Sequence, residues 1–412
     1  MDAQSLVFQL LTPEGRADPY PLYALAHELG PVAPAGDGMV LVCGYEACRQ
    51  ALREPGLGAD VNLVTWGADP ARHPSLAMLS RSLLVANAPD HGRLRASMAQ
   101  KFTARGVAAL EDGVVRITDA LLDELRRAEG PVDFMDAFAF RLPAHVICEL
   151  MGIPEADRAR FRRYAADLMA TLEPASDPAA HEAQLAAADR AAAEVDAYFT
   201  DLIRARRADP RDDLVTGMLA ARDEGLLRDD AELVANLASL LLAGFETTTH
   251  LLGNGLRLLF EHPEVAAGLR DGTVPVEGFV EEVLRYDSPV QLSNRVALAD
   301  GVTLGGVPAP AGTHVVLLLG AANRDPARYA DPDRFDPTRA DIRPLSFGGG
   351  AHYCLGALLA RLEATVAFGR LPTSIPGLAP APGTAPTRRD RIVLRGHAAF
   401  PVVLDSTRTA GM

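Results

Sequence analysis

The stretch Ser346-Phe-Gly-Gly-Gly-Ala-His-Tyr-Cys-Leu-Gly-Ala-Leu-Leu-Ala-Arg361 constrains this chain more than any other, because a glycine-rich turn delivers one cysteine to the start of an apolar helix. Three consecutive glycines, Gly348 to Gly350, let the backbone fold tightly and bring its N–H groups close to whatever the sulfur binds, since no side chain intervenes. After Cys354 the run Leu355 to Phe368 has helical periodicity, so the spacing predicts a sulfur in the first turn, at a positive helix terminus that favours thiolate over thiol. Gly356 leaves room for a flat, bulky group against that turn. Cys43, Cys48 and Cys148 lack such a setting and read as buried core thiols.

One thiolate without a second Cys or His at metal-ligand spacing does not describe a zinc or iron–sulfur site, but it suits a single axial bond to haem iron. The pattern Phe347-x-x-Gly350-x-x-x-Cys354-x-Gly356 resembles the haem-binding loop of the cytochromes P450, which are haem-thiolate monooxygenases. The resemblance implies a mainly α fold with small β-sheets (α+β), with haem b (iron protoporphyrin IX) held between a long central helix and the helix after the cysteine loop. Cys354 is then the iron ligand, and Phe347, Gly348 and Gly356 lie against the haem.

Length alone, 412 residues, suggests two or three domains, but no Gly/Ser or acidic linker and no internal repeat divides the chain. The motifs are spread from residue 91 to residue 361 and converge only if residues 1–412 make one unit. A net charge of −14 argues against nucleic acid as partner, which needs a concentrated basic surface. Four irregularly spaced cysteines argue for a reducing, cytoplasmic setting. The N-terminal Met1-Asp-Ala-Gln-Ser-Leu-Val-Phe-Gln-Leu-Leu is too short and too weakly apolar for an anchor or signal peptide, so no membrane association is expected. The expectation is a cytoplasmic monomer of the soluble bacterial type.

In chain order, Met39-Val-Leu-Val-Cys-Gly predicts a strand and Tyr45 to Arg53 a helix. From Glu54 to about Leu84, Gly56, Gly58, Gly67, Pro70 and Pro74 punctuate a long irregular segment that carries Trp66. The resemblance makes it a mobile lid with Trp66 at the substrate. In Asn87-Ala-Pro-Asp-His-Gly-Arg-Leu-Arg, His91 and Arg95 are four apart and share a helical face; the resemblance makes both haem-propionate contacts. A second lid is expected over Met169 to Tyr198, alanine-rich and broken near Pro174, Ser176 and Pro178.

Asp229-Asp-Ala-Glu opens the longest helix with a start like a capping box, and Pro263 ends it. Its middle, Ala243-Gly-Phe-Glu-Thr-Thr-Thr-His250, is a poor helix centre, because Gly costs entropy and Thr hydroxyls compete for backbone carbonyls, so a local widening is expected. This stretch resembles the family's oxygen-activation motif, with Ala243 against the haem, Glu246 as the acid and Thr247 as the alcohol of a proton relay. Phe245 stands where bacterial relatives often carry His.

Glu282-x-x-Arg285, an i,i+3 pair, resembles the family's Glu-x-x-Arg, whose third member is an Arg in a downstream meander. Asp331-Pro-Asp-Arg-Phe-Asp-Pro fits that meander and makes Arg334 the candidate; the three are structural. Val290, Gln291 and Leu292, with Leu240 of the long helix, are expected to line the substrate pocket, and Arg295 and His352 to reach propionates. Val315 to Leu319 predicts a strand, and Arg391-Ile-Val-Leu with Phe400-Pro-Val-Val-Leu a last hairpin.

The resemblance implies insertion of one oxygen atom from O2 into a hydrophobic small molecule such as a polyketide or macrolide, by hydroxylation or epoxidation. Electrons come from NAD(P)H through a ferredoxin and a ferredoxin reductase, for which Lys101, Arg105 and Arg361 are candidate contacts. Other readings are a haem-binding sensor or carrier without turnover, and a peroxide-driven or oxidative-coupling member of the family. The Glu246–Thr247 pair and the lack of a regulatory domain weigh against the sensor.

Overall fold

The long helix from Asp230 to Glu261 runs as continuous α-helix for 32 residues, about 48 Å at 1.5 Å per residue, and the rest of the molecule packs around it. In this computed structural model, residues 1–36, 38–60, 67–174 and 177–404 are described. Asp229 caps the helix by accepting the Glu232 N–H at 2.7 Å. The return bond expected of a capping box goes elsewhere, because the Glu232 carboxylate takes Arg93 at 2.7 Å and the Arg228 N–H at 2.6 Å. Residues Leu233 to Ala238 are buried all round; five are apolar, and Asn236 among them is satisfied by the Leu83 N–H and the Arg81 and Glu232 carbonyls. The expected widening does not interrupt the helix: the hydroxyls of Thr247, Thr248 and Thr249 donate to the carbonyls of Ala243, Gly244 and Phe245 one turn back.

The helix after the cysteine loop, Ala357–Ser374, packs across the central one and against Val276–Tyr286, which carries Glu282 and Arg285. Gly255 makes that crossing possible, since a Cβ there would sit 2.2 Å from the Phe368 ring. One large hydrophobic core links these helices to Glu111–Arg126, Arg141–Met151 and Pro178–Ala208.

Sheets are small. The largest has five strands in the order Val32–Pro34, Met39–Val42, His314–Leu317, Ser293–Ala297 and Leu57–Gly58, with Met39–Val42 parallel to His314–Leu317. The C-terminal hairpin is not the one expected. Strand Pro401–Leu404 pairs with Leu378–Pro380 and with Val132–Asp133, whereas residues 391–394 form no strand beyond an isolated bridge of Leu394 to Val290.

Among its described residues, the segment 54–84 is less irregular than its glycines and prolines suggest. Pro74 sits in the first turn of a helix, Pro74–Ser80, where its missing N–H costs nothing. The break expected near Pro178 falls there, since Pro178 opens a 31-residue helix, Pro178–Ala208, capped by Asp177. The preceding helix ends at Ala170. Trp66 lies outside the described residues.

Candidate active site

The cysteine loop is pinned before it reaches Cys354. Ser346 donates its hydroxyl to the Leu284 carbonyl at 2.6 Å and accepts from Asn323 at 3.0 Å, while the Leu345 N–H donates to Asn323 at 2.7 Å. Gly348 and Gly350 take positive φ values of 68° and 63°, and a Cβ at Gly350 would lie 2.3 Å from the Leu52 carbonyl oxygen. Only glycine satisfies both demands. The turn closes with the Cys354 N–H donating to the Phe347 carbonyl at 2.9 Å.

Cys354 opens into a cavity of about 430 Å³. The thiol lies just before the helix, which begins at Ala357 with Gly356 as N-cap, rather than in its first turn as expected. Burial by the protein around it pushes the thiol above its ordinary pKa, with the Gly356 N–H, Arg95 and Arg361 pulling the other way. The helix terminus therefore does not by itself make a thiolate; a metal cation bound to the sulfur would supply the missing stabilisation. Gly356 faces open space, with nothing within 4 Å of an added Cβ.

At one side of the cavity four basic groups converge. His91 and His352 lie with ring centroids 4.2 Å apart, and Arg95 and Arg295 line the same wall. Arg95 donates to the Tyr353 carbonyl at 2.9 Å, and Arg295 to Ser293 at 2.9 Å and the Asn294 carbonyl at 2.7 Å; none of their described bonds goes to a carboxylate. Burial, with Arg295 and the other cations beside it, depresses His352 to about 4. His91 is depressed for the same reasons, and its Nε2 is buried without a hydrogen-bond partner. Arginines with no carboxylate partner among the described residues, beside a buried imidazole nitrogen without a hydrogen bond, are a site for carboxylates. Together with the thiol and the space at Gly356, they fit a flat group bound through its centre and carrying acid side chains, which is the shape and charge of haem b.

The central helix forms the opposite wall through Ser239, Leu240, Ala243, Gly244, Thr247 and Thr248. Ala243 and Thr247, one turn apart, are open to the cavity, and the Thr247 hydroxyl donates to the Ala243 carbonyl at 3.0 Å. Glu246 points away from it. Its Oε1 receives an ion pair from Arg391, His250 lies 3.8 Å off, and Oε2 has no hydrogen-bond partner. Burial raises the carboxyl, but His250 and Arg391 outweigh it and hold Glu246 below its ordinary value.

Other expected residues divide. Val290, Leu292, Phe347 and Gly348 line the cavity. Gln291 does not: in this extended stretch alternate residues face opposite ways, and its side chain instead accepts the Tyr23 hydroxyl at 3.0 Å and donates to the Ser288 carbonyl at 2.7 Å. Glu282 and Arg285 form a fully buried bidentate pair at 2.7 Å, and Arg285 also donates to the carbonyls of Asn323, Pro332 and Arg334. The third member of this set is Arg339, not Arg334. Arg339 reaches Glu282 at 3.3 Å and the carbonyls of Ala330, Asp331 and Arg334, whereas the Arg334 side chain turns outward to Asp336. Asp336 donates its N–H to Glu282 at 2.8 Å, so the chain turns between the two arginines and carries the later one inward. Of the surface contacts, Lys101 pairs with Asp212 and Arg361 with Glu281, while Arg105 is exposed.

Sequence reasoning missed Asn323, Ser346, Arg339, Arg391 and the buried Glu173. Each acts across a long separation, and the only local signal is a polar residue within an apolar or turn context.

The sequence model of the family described as cytochrome P450 matches residues 31–273 and 275–371. The chain is 37% identical to cytochrome P450 monooxygenase PikC of Streptomyces venezuelae, covering 96% of this chain and 93% of that one. It is 36% identical to 6-deoxyerythronolide B hydroxylase of Saccharopolyspora erythraea, covering 94% and 96%. Among solved structures it is similar to P450BioI in complex with hexadec-9Z-enoic acid ligated acyl carrier protein, with a TM-score of 0.87, 31% identity, and coverage of 95% of this chain and 100% of that one.

Proposed function

This chain belongs to the cytochrome P450 family and is a monooxygenase, and from that premise we propose that it oxidises a bulky, apolar macrolide or related polyketide by hydroxylation or epoxidation. What carries the reading is a single cavity shared by the Cys354 thiol, the His91–Arg95–Arg295–His352 cluster and the Ala243–Thr247 face of the central helix. The named substrate of the hydroxylase relative supports the substrate class, as does a cavity walled by Leu83, Leu240, Val290, Leu292, Val393 and Leu394.

Cys354 would hold the haem iron, the four basic residues would bind its propionates, and Phe347, Gly348, Gly356 and Ala243 would lie against its faces. When bound, the haem would supply activation of dioxygen with two electrons and two protons, one oxygen atom passing to the substrate and the other leaving as water, and a Cys354 thiolate on its iron would favour O–O cleavage. The chain's own residues handle the protons. Thr247 presents its hydroxyl at the cavity wall and positions water there, while Glu246, on the far side of the same turn, is the ionisable group that exchanges protons with the outside. The apolar walls keep other water away and so raise the strength of each polar contact within.

Electrons would come from NAD(P)H through a ferredoxin and its reductase, docking on the side of the cysteine loop. No helix among the described residues is long and apolar enough to cross a membrane.

The deciding experiment reconstitutes the haem-loaded protein with a surrogate ferredoxin, its reductase and NADPH, and screens macrolactones, terpenoids, steroids and fatty acids by spectral titration and mass spectrometry. A product heavier by one oxygen from a macrolactone, labelled from 18O2, is the expected result. Tight binding of every compound without NADPH-dependent product would sink the proposed role.

A further inference from the structure

Residues 391–394 form neither helix nor strand, yet two carboxylates from distant parts of the chain converge on them. Glu173, between the helix ending at Ala170 and the one beginning at Pro178, is buried, and its carboxylate accepts three successive backbone N–H groups, from Ile392, Val393 and Leu394, each at 3.0 Å. Three amides aimed at one carboxylate form an anion-binding nest, and without that partner all three donors would be orphaned in a buried place. One residue earlier, Arg391 holds Glu246 of the central helix, and its charge also acts on Glu173. The cavity touches both halves of this clasp, through Thr171 and Leu172 beside Glu173 and Val393 and Leu394 on the other side.

We propose that this turn aligns the proton relay: Glu173 holds the backbone of residues 392–394, the held turn aims Arg391 at Glu246, and Glu246 is thereby positioned behind Thr247. Glu173 and Arg391 are positioning residues, and neither touches the substrate's reacting atoms. The inference rests on the relay role of Glu246 and Thr247 proposed above.

The test uses the haem-loaded full chain as wild type, Glu173→Ala, Glu173→Gln, Arg391→Ala and the double variant. In Glu173→Ala, hydrogen exchange at amides 392–394 and at 168–172 should rise about tenfold or more, and a crystal structure should show Arg391 displaced from Glu246. Glu173→Gln, which keeps one acceptor oxygen, should fall between the two. With 6-deoxyerythronolide B as probe, the share of NADPH electrons appearing as peroxide should rise in both single variants and no further in the double, because both act through one turn. Unchanged exchange at 392–394, an Arg391 still bonded to Glu246 in Glu173→Ala, or additive peroxide effects overturns the coupling. Full coupling in Thr247→Ala would instead refute the relay and leave the exchange and structural results standing.

Discussion

At the scale of single residues, Cys354 and Thr247 are separated from their surroundings by what they lack. Cys354 is the one cysteine open to the cavity, while Cys43, Cys48 and Cys148 are buried, and burial pushes Cys43 and Cys148 up to about 12. Replacing Cys354 with Ser should therefore remove the thiolate absorption signature of the reduced carbon monoxide complex, and its persistence would reassign the ligand. Among the described residues the Thr247 hydroxyl bonds only to its own helix, so Thr247→Ala removes no hydrogen bond to another element. Haem content and substrate binding should stay near wild type, while product per NADPH falls about tenfold or more and peroxide rises; retained coupling would move the relay to other groups. Glu246→Gln should slow turnover with a larger solvent deuterium effect than wild type, and equal isotope effects would argue that protons arrive by another path.

At the scale of elements, the meander from Asp331 to Arg339 decides which arginine supports the helix carrying Glu282. Asp331 itself adopts a positive φ of 46°, a left-handed conformation that Asp tolerates better than most residues. The turn that follows Arg334, pinned by the Asp336 N–H on Glu282, brings Arg339, not Arg334, onto the buried carboxylate. Arg339→Ala should cost about 2 kcal/mol, the worth of charged hydrogen bonds in a part-buried site, and should loosen haem retention because the same helix anchors Ser346 through the Leu284 carbonyl. Arg334→Ala, on an exposed side chain, should change stability by no more than about 0.5 kcal/mol. Paired thermal melts would check both, and equal losses would refute the distinction.

At the scale of the whole molecule, acid sensitivity follows from histidines buried neutral. His397 is held down to about 3, mainly by burial and then by Arg388, with neither ring nitrogen hydrogen-bonded. Unfolding restores its ordinary value near 6.5, so between those values the unfolded chain binds the proton more tightly. The stability this group contributes is complete above about pH 6.5 and is lost progressively as pH falls towards 3. Denaturation midpoints of wild type and His397→Phe should converge as pH is lowered through that window; parallel curves would assign the acid loss to other groups.

The sequence alone determined the cysteine loop, the central helix and the Glu282–Arg285 pair, because each is written in contiguous residues whose spacing fixes a local geometry. Three glycines force the turn, and three or four residues of separation place side chains on one helical face. It also placed Val290 and Leu292 at the cavity, since both are apolar in an extended segment, but it took Gln291 with them although period-two alternation sends that residue to Tyr23. Tertiary structure alone decided the partners of buried charge. Glu246 meets Arg391 145 residues away, Glu282 meets Arg339 across 57, and Glu173 meets the amides of 392–394 across about 220. No local pattern encodes such pairs, because any of the chain's many arginines or free amides satisfies a carboxylate equally well until packing of the intervening helices brings one of them within reach.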